Sequence, residues 1–170
     1  MDFLTLARER YSCRKLSERE VEQEKLDKII EAAMLAPTAV NYQPVKIWVL
    51  QSPEAVAKAA STTRYSFGAQ VILAVGGSVE EAWRRKFDGK SFADIDASIV
   101  ATHMMLEIQD LGLGTTWVGA FDEAKLKELF PEMEGYAIVA LFPLGYPAED
   151  AVPAKMHGLS KSRNEMTEVL

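Results

Sequence analysis

The nine residues 36–44, Ala36-Pro37-Thr38-Ala39-Val40-Asn41-Tyr42-Gln43-Pro44, decide how the rest of the chain is read. Two prolines stiffen the stretch by fixing φ. A residue before proline is pushed out of the α region, so a helix arriving from the N-terminal side stops near Ala36. Thr38, Asn41 and Gln43 then present donors and acceptors on a rigid support. Such a loop can hold a planar polar heterocycle or a polyol. It can equally be a connector whose Asn and Gln satisfy their own backbone.

On the N-terminal side, Leu26, Ile29, Ile30, Ala33 and Met34 recur at helical spacing. Ser17 and Glu20 make the pattern S-x-x-E, which predicts that this helix opens at Ser17 with a capping box. Asp2 is placed to cap a first short helix through Arg10. Between the two helices lie Arg10, Ser12 and Arg14, with Arg8 and Lys15 beside them. If residues 10–14 are extended, alternate side chains share one side. Two guanidinium forks and a hydroxyl then form a receptor for a phosphate or another anion. The competing reading is a solvated face paired with Glu9, Glu18 and Glu20.

On the C-terminal side, the pattern predicts a strand over 45–50, then a helix over 53–60 with Ser52 as cap and Pro53 at its first position. A second strand follows over 71–75 and a short helix over 79–86, with Gly76-Gly77-Ser78 as the turn between them. The longest helix runs over 92–111, carries Ile95, Ile99, Met105 and Ile108 on one side, and stops at Gly112. A third strand covers 115–118, and its Gly119-Ala120 end exposes backbone N–H groups that a ligand can approach closely. Asp122 caps a helix through Phe130, Pro131 prevents its continuation, and residues 136–144 form a fourth strand. Trp48 and Trp117 read as core. Alternating strands and helices make the class α/β or α+β. The polar tail after Pro147 must pack on something else if it is ordered.

Composition narrows the function. The 170 residues read as one domain, 1–170, with a net charge of -6 that disfavours nucleic acid and anionic membranes. The single cysteine, Cys13, allows neither a disulfide framework nor a thiolate metal site, and fits a reducing cytoplasm. The first residues lack the features of a signal peptide, and no apolar run approaches a membrane span. No G-x-S-x-G, H-E-x-x-H, C-x-x-C or P-loop is present. His103 and His157 stand alone, and His103 reads as a packed or half-exposed mid-helix residue. Gly112-Leu113-Gly114 meets Trp117 at the third glycine place of a dinucleotide fingerprint and sits between a helix and a strand, the reverse of the required order.

Four segments in order resemble the nitroreductase family: R-x-S-x-R at Arg10 to Arg14, the A-P-T-A-x-N-x-Q-P loop, G-L-G-T-x-W-V-G at Gly112 to Gly119 followed by Phe121-Asp122, and a basic tail with Lys161 and Arg163. The resemblance spans nearly the whole chain. It implies an α+β fold, a central mostly antiparallel sheet flanked by helices, in an intertwined homodimer. It implies FMN as cofactor, with NADH or NADPH as electron donor and a small organic acceptor such as a nitroaromatic or quinone in ping-pong turnover. Flavin N5 carries that chemistry, so no catalytic side chain and no metal are called for. Arg10, Tyr11 and Ser12 are implied at the FMN phosphate, joined by Lys161 and Arg163, with Arg14 near the phosphate or the pyrimidine edge. Pro37, Thr38, Ala39 and Asn41 are implied as the partner subunit's contribution, supported by Gln43. Val118, Gly119 and Ala120 are implied at flavin N5 and O4. Residues 61–89 match the family poorly, and Arg64 or Gln70 is a further candidate there. The same framework resembles flavin-dependent dehalogenases and enone reductases, and a non-catalytic FMN-binding or redox-sensing protein is the alternative outside enzymes.

Overall fold

The computed structural model describes residues 2–170. Its helices are α1 (Phe3–Glu9), α2 (Gln23–Met34), α3 (Pro53–Ala60), α4 (Ala93–Asp110), α5 (Glu123–Leu129) and α6 (Arg163–Met166). Its strands are β1 (Val45–Leu50), β2 (Val71–Ser78), β3 (Gly114–Thr115) and β4 (Tyr136–Gly145). They form one sheet in the order β1-β2-β4-β3 with every named pair antiparallel, so the class is α+β.

β2 is buried along its whole length because helices cover both faces of the sheet. Strand alternation sends Val71, Leu73 and Val75 toward α2 and α4, where Leu26, Ile29, Val100, Ala101, Met104 and Phe142 join them. Ile72 and Ala74 face the other way and pack with Trp48, Ala59, Leu126 and Phe130. Trp48 meets Tyr136 edge-on and Trp117 meets Phe142 likewise, as expected of core aromatics.

Helix boundaries follow local chemistry. Asp2, Ser52 and Asp122 each accept a backbone N–H at the start of α1, α3 and α5. Gly112 takes φ +72 after α4 and stops it. The expected capping box at Ser17 and Glu20 does not form. The Ser17 N–H donates to the Tyr146 carbonyl at 2.8 Å, which holds the segment along β4's end, and α2 starts only at Gln23.

Two other expectations are corrected. Gly76-Gly77-Ser78 belongs to β2 and is no turn. A Cβ on Gly77 would lie 2.2 Å from the Ala93 carbonyl oxygen, so the glycine lets the start of α4 press on the strand. The expected helix over 79–86 is replaced by a hairpin-like excursion in which Arg84 bridges Ser91. Among the described residues no helix is long and apolar enough to cross a membrane, and no cluster of three or more His, Cys, Asp or Glu side chains could hold a metal ion.

Candidate functional site

Arg10 ends α1 with extended backbone, and the chain then runs as an edge beside β3. Ser12 bridges Thr115 in parallel, and the Cys13 N–H donates to the Thr115 carbonyl at 2.9 Å. Alternation buries Cys13 against Gly114, where a Cβ would stand 2.8 Å from Sγ. Arg10, Ser12 and Arg14 turn to the other side, as their spacing predicts, and line a cavity of about 300 Å³ with Ala154, Met156 and His157. Nη1 of Arg10 is buried without a hydrogen-bond partner. Among the described residues no carboxylate pairs with Arg10 or Arg14, so the solvated, ion-paired face is not what forms. Two arginines without a carboxylate partner and a serine hydroxyl on one cavity wall make this cavity a fit for a phosphate.

Tyr11 stands at the rim with its ring edge-on to His157. Burial, then the neighbouring Cys13 thiol, pushes its phenol above the ordinary value, so Tyr11 stays neutral. The tail reaches the cavity through residues 154–157. Lys161 and Arg163 do not line it: both are exposed, and Arg163 opens α6. Sequence reasoning missed Met156 and His157, because nothing in a lone histidine's surroundings marks which surface the tail will cross.

The third strand is shorter than expected. Only Gly114 and Thr115 pair as β3, and Val118 rejoins the sheet through an isolated bridge to Leu141. Val118 is buried, and its N–H and carbonyl each bond Leu141 at 3.0 Å, so it has no group free for a cofactor. Gly119 and Ala120 are exposed, and their N–H groups have no acceptor among the described residues. A Cβ on Gly119 would meet nothing nearer than Trp117 Nε1 at 3.9 Å, so this backbone is open to a ligand. The Ala120 carbonyl accepts from Thr63 Oγ1 at 2.7 Å, which fixes the turn. Below it lies a cleft of about 690 Å³ lined by Thr63, Arg64, Tyr65, Phe121 and Lys125 among others. Arg64 therefore faces this region. Gln70 does not, since its amide donates to the Glu18 carbonyl at 2.9 Å.

The loop 36–44 is held in a strained shape. Val40, Asn41 and Gln43 all have positive φ, at 47°, 56° and 53°. Left-handed backbone is unfavourable for a β-branched residue such as Val40, and such strain gathers at functional sites. Thr38 Oγ1 accepts from the Gln43 N–H at 3.0 Å, and Gln43 Nε2 donates to Asn41 Oδ1 at 3.1 Å, so Gln43 braces the loop from within. Asp96 clamps it from α4: Oδ1 accepts from the Ala39 N–H at 2.9 Å, the residue is 1% exposed, and Oδ2 is buried without a partner. Asp96 went unpredicted, although an acid inside the Ala93, Ala97, Val100 stripe of α4 is a legible anomaly. Pro37, Asn41 and Tyr42 are exposed, while Thr38 and Ala39 are half-buried. A cavity of about 240 Å³ lies behind the loop, lined by Ala36, Thr38, Gln43 and Val45 among others. It shares no lining residue with the Arg10 cavity, so a single chain does not bring these two groups to one cavity.

The sequence pattern of the Nitroreductase family matches residues 7–66 and 64–146. A protein of Methanothermobacter thermautotrophicus, which carries only the provisional name NADH dehydrogenase/NAD(P)H nitroreductase, is 34% identical over 161 residues, covering 88% of this chain and 80% of its own. A nitroreductase family protein from Clostridium difficile superposes with a TM-score of 0.92 at 34% identity, covering 99% of this chain and 98% of that one. A structure from Desulfovibrio desulfuricans, solved in complex with FMN, superposes with a TM-score of 0.80 at 25% identity, covering 96% and 94%.

Proposed function

Because this chain belongs to the nitroreductase family, we propose that it is an FMN-dependent oxidoreductase working as a homodimer, with NADH or NADPH as donor and a small nitroaromatic or quinone as acceptor. The observation that carries this reading is the Arg10 cavity, where Arg10, Arg14 and the Ser12 hydroxyl line one space and neither guanidinium has a carboxylate partner among the described residues. The related Desulfovibrio structure holding FMN supports the choice of anion.

When bound, FMN supplies the hydride chemistry that no side chain here provides. The protein's share is to bind and orient. Arg10 and Ser12 donate to the phosphate, and Arg14 adds positive charge beside it. The open N–H groups of Gly119 and Ala120 donate to the polar edge of the ring. The loop 36–44 serves the partner's site, with Thr38 and Asn41 as its donors and acceptors. That arrangement accounts for the separation of loop and Arg10 cavity within one chain. Donor and acceptor take turns at one face, which gives ping-pong kinetics.

The test is direct. The purified protein is expected to be yellow, with flavin absorbance near one FMN per chain, and to bleach under NADH or NADPH without oxygen. A colourless protein that FMN does not stabilise would refute the reading. Bound flavin that neither nucleotide bleaches would leave a binding or sensing protein in its place.

A further inference from the structure

Between Pro37 and Gln43 the loop is tied mainly to itself. The Asn41 N–H donates to the Thr38 carbonyl at 3.0 Å, and the Tyr42 N–H to the Ala39 carbonyl at 3.1 Å. Thr38 Oγ1 and Asn41 Oδ1 both accept from Gln43. Val40, Asn41 and Gln43 keep positive φ, and such backbone persists only where its surroundings hold it. Among the described residues, one hydrogen bond joins residues 37–43 to the rest of the fold: the Ala39 N–H donates to Asp96 Oδ1 at 2.9 Å. Ala39 opens the short 3-10 turn Ala39–Asn41, and Thr38 before it gives no side-chain cap. The first N–H of a helical turn has no partner within the turn. Asp96 supplies that partner from 57 positions away.

The Asp96 side chain makes no other hydrogen bond among the described residues, and its Oδ2 is buried without a partner. A buried carboxyl group held this sparsely is costly. It stands in the first turn of α4, where the helix N-terminus offsets part of that cost for a negative charge. The close approach of Ala93 to Gly77 brings this end of α4 within reach of the loop. With Gln43 occupying Thr38 Oγ1 and Asn41 Oδ1 as acceptors, the Thr38 hydroxyl and the Asn41 amide nitrogen keep donors to offer outward. Where those donors point depends on where Ala39 is held.

We infer that Asp96 is a positioning residue that acts across the dimer: through Ala39 it sets Thr38 and Asn41 against the flavin held by the other copy of the chain. This role presupposes the shared flavin site proposed for two copies. Asp96→Ala is expected to weaken FMN binding by about tenfold. Asp96→Asn keeps an acceptor for the Ala39 N–H and is expected to bind FMN as wild type does. Mixed dimers separate an effect across the dimer from one within the chain. An Arg10→Ala chain and an Asp96→Ala chain are co-expressed under different tags, and the heterodimer is purified through both tags and titrated with FMN. One of its two sites joins an intact arginine cavity to an intact loop, so one tight site is expected. A chain carrying both substitutions, paired with wild type, leaves neither site intact and is expected to show no tight site. The absence of a tight site from the first heterodimer, or its presence in the second, would overturn the inference. So would an Asp96→Asn protein as weak as Asp96→Ala, or an Asp96→Ala protein with wild-type affinity. Each of these results leaves the FMN reading intact. Wild-type protein that takes up no flavin would remove both.

Discussion

Arg10 is the residue on which the proposed phosphate site turns. Its Nη1 atom is buried without a partner in the protein. Arg10→Ala is therefore expected to weaken FMN binding by roughly 10- to 100-fold, the value of a charge-assisted bond to phosphate. Riboflavin, which lacks the phosphate, should bind both forms alike. Titration by flavin fluorescence quenching checks this, and an equal loss for both ligands would place Arg10 elsewhere on the flavin. Val40 is the second such residue. It is exposed, so it contributes little packing, yet it holds φ 47. Left-handed backbone costs a branched residue about 1–2 kcal/mol, and Asn tolerates it better. Val40→Asn should raise stability by about 1 kcal/mol in denaturant unfolding. A lower midpoint would show that the Val40 side chain is needed where it stands.

Elements act together at the latch between α2 and β4. The Tyr146 hydroxyl donates to Glu22 Oε2 at 2.7 Å, and the Arg19 guanidinium lies 3.7 Å over the Tyr146 ring. Arg19 also bonds Glu22 at 2.9 Å. The Tyr146 bond first, then backbone and Arg19 bonds, hold the Glu22 carboxyl at about 2, below its ordinary 4.5. A depressed carboxylate contributes stability that is present above pH 4.5 and lost as pH falls toward 2. Tyr146→Phe keeps the ring under Arg19 and removes the largest cause. The variant should melt below wild type at pH 6, with the gap closing as the pH is lowered from 4.5 to 2. A gap that stays constant with pH would show that the hydroxyl acts independently of Glu22 ionisation.

At the scale of the whole molecule, the tail describes what one chain lacks. Val152, Met156, Leu159, Met166, Val169 and Leu170 are all exposed, and residues 151–170 contribute nothing to either core cluster. α4 adds half-buried Ile95 and Leu106 on the side opposite its packed stripe. A helix apolar on both sides wants cover on both. Removal of residues 151–170 should leave the far-UV circular dichroism of the core intact, convert the proposed dimer to monomer in light scattering, and strip the proposed FMN. A truncated chain that remains dimeric and yellow would show that the tail serves neither role.

Much of this was legible before any coordinates. β1 and α3 lie within the expected bounds, because proline, a capping serine and alternating apolar residues are local signals. The start of α2 was not legible, because a bond from Ser17 to distant Tyr146 displaced the local cap. Gly76-Gly77 looked like a turn because only the approach of α4 shows why a strand needs glycine there. The alternation of Arg10, Ser12 and Arg14 was written in their spacing, the loop 36–44 in its prolines and polar side chains, and the family in the resemblance of four ordered motifs. Two things came from tertiary structure alone: that Asp96 grips the loop, and that His157 in place of Lys161 and Arg163 lines the arginine cavity. The physical reason is range. Neighbours along the chain determine caps, turns and faces, whereas a site assembled from residues a hundred positions apart exists only once the sheet has brought them side by side.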